Sequence, residues 1–303
     1  MRSRPVHPLV RREILPDGEV KHSAVDATII QGDPERERER IMRELRAIMF
    51  TRGHEHGWAF QLLSSDEKAA LMRTVGQYSA EGTFAVAGRE EVSAFHTLSH
   101  NHIAKQEITA PRAFCEAADH IAKSLIAYIT PLLDRENTLW ILPWRAGLVL
   151  GAQAAEAGHH RFFHLGARRD EETLETSLYY TASNNVASIK NVVVADPMLA
   201  TGNTVITALL QLSLPSETNL YSLSVIAAPE GVDNVIQTFP QIRVITGKLD
   251  ECLNHRGFIV PGLGDFGDRY WAGLPEGRIE NWQRLGLLSE QDMLALRKRM
   301  RER

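Results

Sequence analysis

Residues 192–204 read Val-Val-Val-Ala-Asp-Pro-Met-Leu-Ala-Thr-Gly-Asn-Thr, a short apolar run followed by a loop and then by helical spacing. The pattern predicts a buried strand that delivers Asp196 to its carboxyl end, and a helix that begins near Thr204. Unpaired amides at a helix start, the helix dipole and the nearby hydroxyl of Thr201 together favour an anion. Gly202 lets the backbone approach that anion closely. Taken alone, the stretch also fits a simple strand-to-helix turn with a threonine cap.

The same alternation of strand and helix continues on both sides of this stretch. Helical spacing at 110–129, 204–214 and 232–239 alternates with apolar strands at 138–142, 191–195, 223–227 and 242–246. Strands separated by helices are joined by right-handed crossovers, which predict a mostly parallel sheet covered on both faces. Ligands in such sheets bind at the carboxyl ends of strands, so the site is expected there.

Composition excludes several classes of protein. With 303 residues, 44% of them hydrophobic, the chain can bury one substantial core and carry extensions. A formal net charge of -4 gives no field that attracts nucleic acid. No apolar run reaches the roughly 20 residues of a membrane span and no signal-peptide core is present, so we expect an unprocessed protein away from membranes. Cys115 and Cys252 lie far apart, which favours a reducing cytoplasm.

Histidines are abundant but do not predict a metal site. The candidate metal ligands are His54, His56, His96, His100 and His102. Their spacing does not imply a third ligand beside any pair of them. We interpret them, and likewise His159, His160 and His164, as surface or core histidines.

Five segments, in the same order, resemble the uracil phosphoribosyltransferases. Residues 196–202 (Asp-Pro-Met-Leu-Ala-Thr-Gly) are similar to the family's loop for phosphoribosyl pyrophosphate (PRPP), and residues 143–148 (Pro-Trp-Arg-Ala-Gly-Leu) to its pyrophosphate loop. The other three are 166–175, which contains Arg-Asp-Glu-Glu-Thr-Leu, 227–231 (Ala-Ala-Pro-Glu-Gly), and 257–269 (Gly-Phe-Ile-Val-Pro-Gly-Leu-Gly-Asp-Phe-Gly-Asp-Arg), the uracil-binding hood. The resemblance covers about residues 109–273.

The resemblance implies an α/β fold of the type I phosphoribosyltransferase class, a mostly parallel sheet flanked by helices with a C-terminal hood. We expect this domain at 106–273. Residues 1–105 would form a mainly helical N-terminal extension or a segment that carries an insertion, since His7 to Val10 are similar to the family's usual beginning. Residues 274–303 are expected to form a helical extension that docks on the core or on a partner subunit.

The resemblance also assigns candidate site residues. Arg145, Arg169, Asp196 and Asp265 are the expected catalytic residues, and arginine suits pyrophosphate because its planar fork bonds oxygens in pairs. PRPP is expected to contact Arg145, Arg169, Asp196, Met198, Leu199, Ala200, Thr201, Gly202, Asn203 and Thr204. The nucleobase is expected to contact Ile259, Gly264, Asp265 and Phe266, mostly through the main chain.

The implied reaction transfers 5-phosphoribosyl from PRPP to uracil and gives UMP and pyrophosphate. Mg²⁺ is expected to arrive through PRPP oxygens and water, without a dedicated protein cage. The resemblance further implies a homodimer or higher homo-oligomer with no nucleic-acid partner. Two alternatives remain: a phosphoribosyltransferase for a different pyrimidine-like or heteroaromatic acceptor, and a non-catalytic regulator that senses PRPP or a nucleotide.

Three residues depart from the family pattern inside these motifs. Trp144 stands where the family has a smaller aliphatic residue, Asn203 where it has glycine, and Phe266 where it has alanine. A Phe266 ring that points into the pocket would favour a different acceptor, whereas a ring that points away leaves uracil recognition to the backbone. Asp268 is expected either to cap a helix or to pair locally, with Arg269 as a candidate partner.

Overall fold

The computed structural model describes residues 9–14, 20–25, 65–87, 111–169, 176–181, 188–212, 214–254 and 257–301. The histidines at 54–56 and 96–102 and the acidic run at 170–175 lie outside these residues. In the described part of the chain, no helix is long and apolar enough to cross a membrane.

The N-terminal part contributes strands as well as a helix. Strands β1 (Leu9–Ile14) and β2 (Val20–Val25) pair antiparallel. Helix α1 (Ser65–Ala80) is followed by strand β3 (Phe84–Val86). The sequence pattern did not predict these three strands, and the boundary at 105/106 stays a prediction.

Residues 111–301 contain the predicted helices and strands in the predicted order, together with further elements that the sequence pattern did not predict. The elements are α2 (Pro111–Ile129), β4 (Thr138–Trp144), α3 (Leu148–Glu156), β5 (Phe162–Arg169), β6 (Thr176–Thr181), β7 (Asn191–Ala195), β8 (Met198–Leu199), α4 (Asn203–Leu210), β9 (Asn219–Ala227), α5 (Pro229–Thr238), β10 (Arg243–Leu249), β11 (Cys252–Leu253), β12 (Ile259–Val260), α6 (Phe266–Ala272), α7 (Arg278–Arg284) and α8 (Glu290–Arg301). Two 3-10 turns, Thr130–Leu132 and Arg135–Asn137, link α2 to β4.

One predicted helix is shorter than its apolar pattern. The pattern runs over 204–214, whereas α4 ends at Leu210. Leu212 and Leu214 are partly buried against the core from the loop that follows. Their apolar character therefore reflects tertiary packing, which periodicity cannot distinguish from helical packing.

The main sheet has the order β3-β10-β9-β7-β4-β5-β6, with β8 paired beside β9. Its pairings are parallel except that between β5 and β6, so the predicted mostly parallel α/β class is confirmed. The chain continues from β4 to β5 on one side and from β7 to β9 on the other. The loops after β4 and β7 therefore diverge at a switch point, where sheets of this kind bind ligands.

Strand alternation divides the interior into two cores, one on each face of the sheet. Trp140, Leu142 and Trp144 of β4 pack on one face with α2, α3 and the C-terminal helices. Leu139 and Ile141 pack on the other face with residues of α1, α4 and α5. Both faces are covered, as the continuous apolar strands predict.

The C-terminal segment docks on the core, one of the two expected arrangements. Its buried apolar residues belong to the same core as α2 and β4, and they are Trp282, Leu287, Leu288, Met293 and Leu296. A capping box starts α8, because Ser289 accepts from the Asp292 amide while the Asp292 carboxylate accepts from the Ser289 amide.

Candidate active site at the switch point

Arg145 lies directly after β4, at the carboxyl edge of the sheet. Every residue of β4 is buried, and the Trp144–Arg145 peptide bond is cis. The Arg145 side chain is only 12% exposed, and its Nη2 donates to Oδ1 of Asp268 at 2.7 Å. Its guanidinium carbon lies 5.3 Å from the ring centroid of Trp271. A cation is thus held at the cleft with a hood carboxylate as its partner.

The partner of Asp268 corrects a prediction. Asp268 and Arg269 are adjacent on α6, and neighbours one residue apart on a helix point in different directions. Arg269 instead donates to the carbonyl of Leu263 at 2.6 Å and lies 4.2 Å from the ring centroid of Phe114. Burial lowers the pKa of Arg269. The contact between Asp268 and Arg145 spans 123 positions, for which the sequence carried no signal.

The loop after β7 has the predicted geometry of a strand, a turn and a helix start. The Asp196 amide donates to the carbonyl of Leu223 at 3.1 Å, which continues the sheet for one residue. Asp196 Oδ1 accepts from the amide of Met198 at 3.3 Å, which turns the chain towards β8. Met198 and Leu199 then pair with β9, and Ala200 follows them.

Gly202 is the residue that starts α4. It adopts a left-handed φ of 82°, and a Cβ there would lie 2.7 Å from Cγ2 of Val235. The loop is fixed by Asn234, whose Nδ2 donates to the carbonyl of Thr201 at 2.8 Å. The amide of Asn203 donates to Thr201 Oγ1 at 3.3 Å. Only glycine fits this position without strain, which holds the first turn of α4 against α5.

The two loops are in direct contact at Gly147. A Cβ at this position would lie 2.6 Å from the carbonyl oxygen of Ala195 and 2.8 Å from that of Pro143. The absence of a side chain therefore lets the turn after Arg145 close against the end of β7. Arg145 and Asp196 consequently follow neighbouring strands at one crevice.

The hood lies over the loop that contains Arg145. Ile259 is in β12, which pairs with β11, and the Val260–Pro261 bond is cis. The amide of Gly262 donates to Oδ2 of the buried Asp250 at 2.9 Å, which ties the hood to the end of β10. Gly264, like Gly262, has a positive φ that only glycine adopts readily.

Asp265 caps the hood helix at the cleft. The Oδ1 atom of Asp265 accepts a hydrogen bond from the amide of Asp268 at 2.7 Å, and Asp265 is exposed to solvent. A Cβ on Gly267 would lie 3.8 Å from the Cβ of Ala146, so the start of α6 rests on the loop after β4. The candidate residues of three separate motifs therefore meet at the switch point.

Phe266 points away from this cleft. The residue is 2% exposed, and its ring packs edge to face against Phe114 at a centroid distance of 5.4 Å and an angle of 66°. On another side it stacks with Tyr270 at 6.3 Å and 8°. The Phe266 ring belongs to the core and points away from the pocket. This is the orientation in which the resemblance leaves base recognition to the backbone.

Arg169 is the last residue of β5, and its backbone pairs with Thr176 of β6. It follows three residues after Gly166, which pairs with Trp144. The strand therefore ends on the same edge of the sheet as β4. The side chain of Arg169 lies outside the described residues, so its contact with pyrophosphate stays a prediction.

Within the described residues, no group of three His, Cys, Asp or Glu side chains is arranged to hold a metal ion. The oxygens at the cleft come from separate carboxylates, chiefly Asp196 and Asp265. These are hard ligands of the kind that suits Mg²⁺ carried by a phosphorylated substrate.

Comparisons with known proteins agree with this arrangement. A family model described as uracil phosphoribosyltransferase matches residues 94–273. A uracil phosphoribosyltransferase of Aquifex aeolicus is 39% identical over 141 residues, 46% of this chain and 67% of that protein. One of Brucella melitensis is 42% identical over 112 residues, 37% of this chain and 54% of that protein. This chain thus spans about half to two thirds of the length of these two relatives.

A solved structure of an Aquifex aeolicus protein has a TM-score of 0.55 with this chain. It is 27% identical and covers 62% of this chain and 98% of that one. The similarity therefore extends over nearly the whole of the smaller protein, and the additional residues belong to the present chain.

Proposed function

Because this chain belongs to the uracil phosphoribosyltransferase family, we propose that it transfers the 5-phosphoribosyl group of PRPP to uracil. The products are UMP and pyrophosphate. One observation carries the proposal: the loop with Arg145, the loop with Asp196 and Gly202, and the hood with Asp265 converge on one crevice. A donor with a phosphate, a ribose and a pyrophosphate needs three separate anchors of this kind.

The 5-phosphate binds at the start of α4. Thr201, Gly202, Asn203 and Thr204 offer hydroxyls and the first amides of the helix, where the dipole favours an anion. Asp196 accepts hydrogen bonds from the ribose hydroxyls. The backbone of Met198, Leu199 and Ala200 lies between the two groups, and it is fixed because the amide of Ala228 donates to the Leu199 carbonyl at 2.9 Å.

Arg145 and Arg169 stabilise the departing pyrophosphate. The bond between the anomeric carbon and a pyrophosphate oxygen breaks as the bond to the uracil nitrogen forms, and the proton of that nitrogen is released to solvent. Negative charge therefore grows on the leaving group. Arg145 is already desolvated at the edge of the cleft, which strengthens its attraction for that charge. Pyrophosphate replaces Asp268 as its partner when PRPP binds.

Mg²⁺ is the cofactor that fits these oxygens, and when bound with PRPP it neutralises phosphate charge. Asp265 would hold it through water, and Asp196 lies at the ribose side of the same cleft. The proposal places no protein-only metal cage there.

Uracil is read by the main chain of the hood, at Ile259, Gly264 and Phe266. Its two carbonyls and the NH between them match backbone donors and acceptors that the positive φ of Gly264 holds in place. The burial of the Phe266 ring supports uracil over the alternative acceptors, because the ring neither stacks on the base nor narrows its space. We further propose that the enzyme acts as a homo-oligomer in the cytoplasm.

The test is formation of UMP from labelled uracil, PRPP and Mg²⁺. We expect turnover by the wild-type chain and a fall of roughly a hundredfold or more in kcat for Arg145→Ala and for Asp196→Asn. Arg112→Ala is the matched control, because that arginine pairs with Glu116 on the surface with 64% of its side chain exposed. Its activity should equal that of the wild type.

Two outcomes would replace the proposal. Consumption of a different base with no UMP would select another heteroaromatic acceptor. PRPP binding without turnover of any base in an acceptor screen would select a regulator.

A further inference from the structure

The C-terminal segment 274–301 lies beyond the residues matched by the family model, yet it packs against β4, the strand that Arg145 directly follows. It forms α7 and α8, and its apolar side chains share a core with β4. Two chains of contacts lead from this segment to the Trp144–Arg145 pair.

The first chain of contacts passes through His164 of β5. The indole Nε1 of Trp144 donates to His164 Nδ1 at 2.9 Å, and His164 Nε2 lies 2.7 Å from the carbonyl oxygen of Leu287. An indole N–H only donates and a carbonyl only accepts, so the histidine is neutral with its proton on Nε2. Burial lowers the pKa of His164, although the Asp292 carboxylate 3.9 Å away opposes this effect.

The second chain of contacts passes through two tryptophans. Trp282 of α7 packs edge to face against Trp271 of α6, with centroids 6.0 Å apart and an angle of 78°. The Trp271 ring in turn lies 5.3 Å from the guanidinium carbon of Arg145. Trp282 is 1% exposed, so this contact is built into the core and not onto the surface.

We propose that segment 274–301 positions Arg145 for pyrophosphate, acting through His164 and Trp144 on one side and through Trp271 on the other. The inference rests on the proposed function, because it takes Arg145 as the pyrophosphate ligand. It also accounts for a departure in sequence. Trp144 stands where the family resemblance has a smaller aliphatic residue, and its indole is the group that His164 connects to the added segment.

A positioning role predicts a selective kinetic effect. Loosening the end of β4 displaces the guanidinium that binds the donor, while the hood that reads the base remains tied to Asp250. The KM for PRPP should therefore rise, and the KM for the acceptor should stay near its wild-type value. If these contacts were purely structural, their loss would lower stability and would leave the ratio of the KM for PRPP to the KM for the acceptor unchanged.

The decisive comparison is Trp144→Phe against Trp140→Phe. Both indoles are buried on the same face of β4, but Trp140 Nε1 has no hydrogen-bond partner among the residues that the structure describes. For Trp144→Phe we expect roughly a threefold to tenfold rise in the KM and Kd for PRPP, and for Trp140→Phe less than a twofold change. The acceptor KM should change less than twofold in both.

Variants of the histidine test the connection itself. His164→Leu should reproduce the effect of Trp144→Phe, and His164→Asn should recover part of the PRPP affinity because its amide oxygen can replace Nδ1 as the acceptor. If His164→Leu does not fold, the comparison of Trp144→Phe with Trp140→Phe still tests the positioning role.

Direct titration with PRPP tests the proposed function and the positioning role separately. A wild-type chain that binds no PRPP contradicts the proposed function. A wild-type chain that binds PRPP, with Trp144→Phe equal to Trp140→Phe, overturns the positioning role alone. Equal rises in the KM for PRPP and for the acceptor would also overturn it.

Discussion

Replacing Phe266 by alanine, the residue that the family pattern has there, should destabilise the protein without changing its acceptor. The side chain is 2% exposed and contacts the rings of Phe114 and Tyr270. Deleting a buried phenyl ring costs about 3–5 kcal/mol, of which each aromatic contact supplies about 0.5–1.5 kcal/mol. The better helix propensity of alanine returns about 0.5 kcal/mol at most.

The expected loss is therefore about 2.5–4.5 kcal/mol in the free energy of unfolding, or a fall in Tm on the order of 10 °C. Urea unfolding measures it, with Phe258→Ala as the control, because that hood phenylalanine is 36% exposed and should cost under about 1 kcal/mol. A double-mutant cycle with Phe114→Ala should give a coupling of about 0.5–1.5 kcal/mol.

The catalytic readout is the ratio of kcat/KM for uracil to that for other bases. This ratio should change less than threefold in Phe266→Ala at a temperature where the variant is folded, because under the proposed function the main chain and not the ring reads the base. A variant with wild-type stability and a new acceptor preference would show instead that the Phe266 ring contacts the base and not the core.

Three further predictions concern Gly202, the contacts of Asp119 on α2, and the dependence of stability on pH. Gly202→Ala should weaken PRPP binding at least tenfold and lower stability, because a Cβ at its positive φ would lie 2.7 Å from Val235; titration with PRPP and thermal unfolding measure both effects. Asp119→Ala should lower the free energy of unfolding in urea by about 2–4 kcal/mol, because it removes the carboxylate that pairs with Arg278 at 2.8 Å and accepts from the Tyr270 hydroxyl. An unchanged urea midpoint would show that these two contacts do not stabilise the protein. Burial lowers the pKa of His159 from 6.5 to about 4, so its stabilising contribution is complete above pH 6.5 and is lost as the pH falls to 4. Between pH 6.5 and pH 4.5, the free energy of unfolding should therefore fall by about 2 kcal/mol less in His159→Leu than in the wild type. Parallel plots of stability against pH for the two proteins would contradict this.

The strand, turn and helix start of residues 192–204 could be predicted from sequence because their determinants are local. A buried strand, a glycine in the left-handed region and a helix start lie within residues 192–204, and each acts on its immediate neighbours. The parallel α/β class followed for the same reason, since alternation of strands and helices constrains the crossovers. Strand β3 was not predicted, because three residues are too short for a periodic signal and its pairing with β10 is remote in sequence.

Local sequence patterns were enough to predict the order of the main strands and helices and the loops in which candidate site residues lie. Which side chains meet depends on how the distant elements pack: Asp268 pairs with Arg145, 123 positions away, and Phe266 turns into the core. The tertiary structure also decided that His164 connects Trp144 to the C-terminal segment. Spacing along a chain fixes the direction of a side chain relative to its own helix or strand. The contact partner of that side chain depends on which distant element covers the same face of the helix or strand, and the packing of the whole core determines that element.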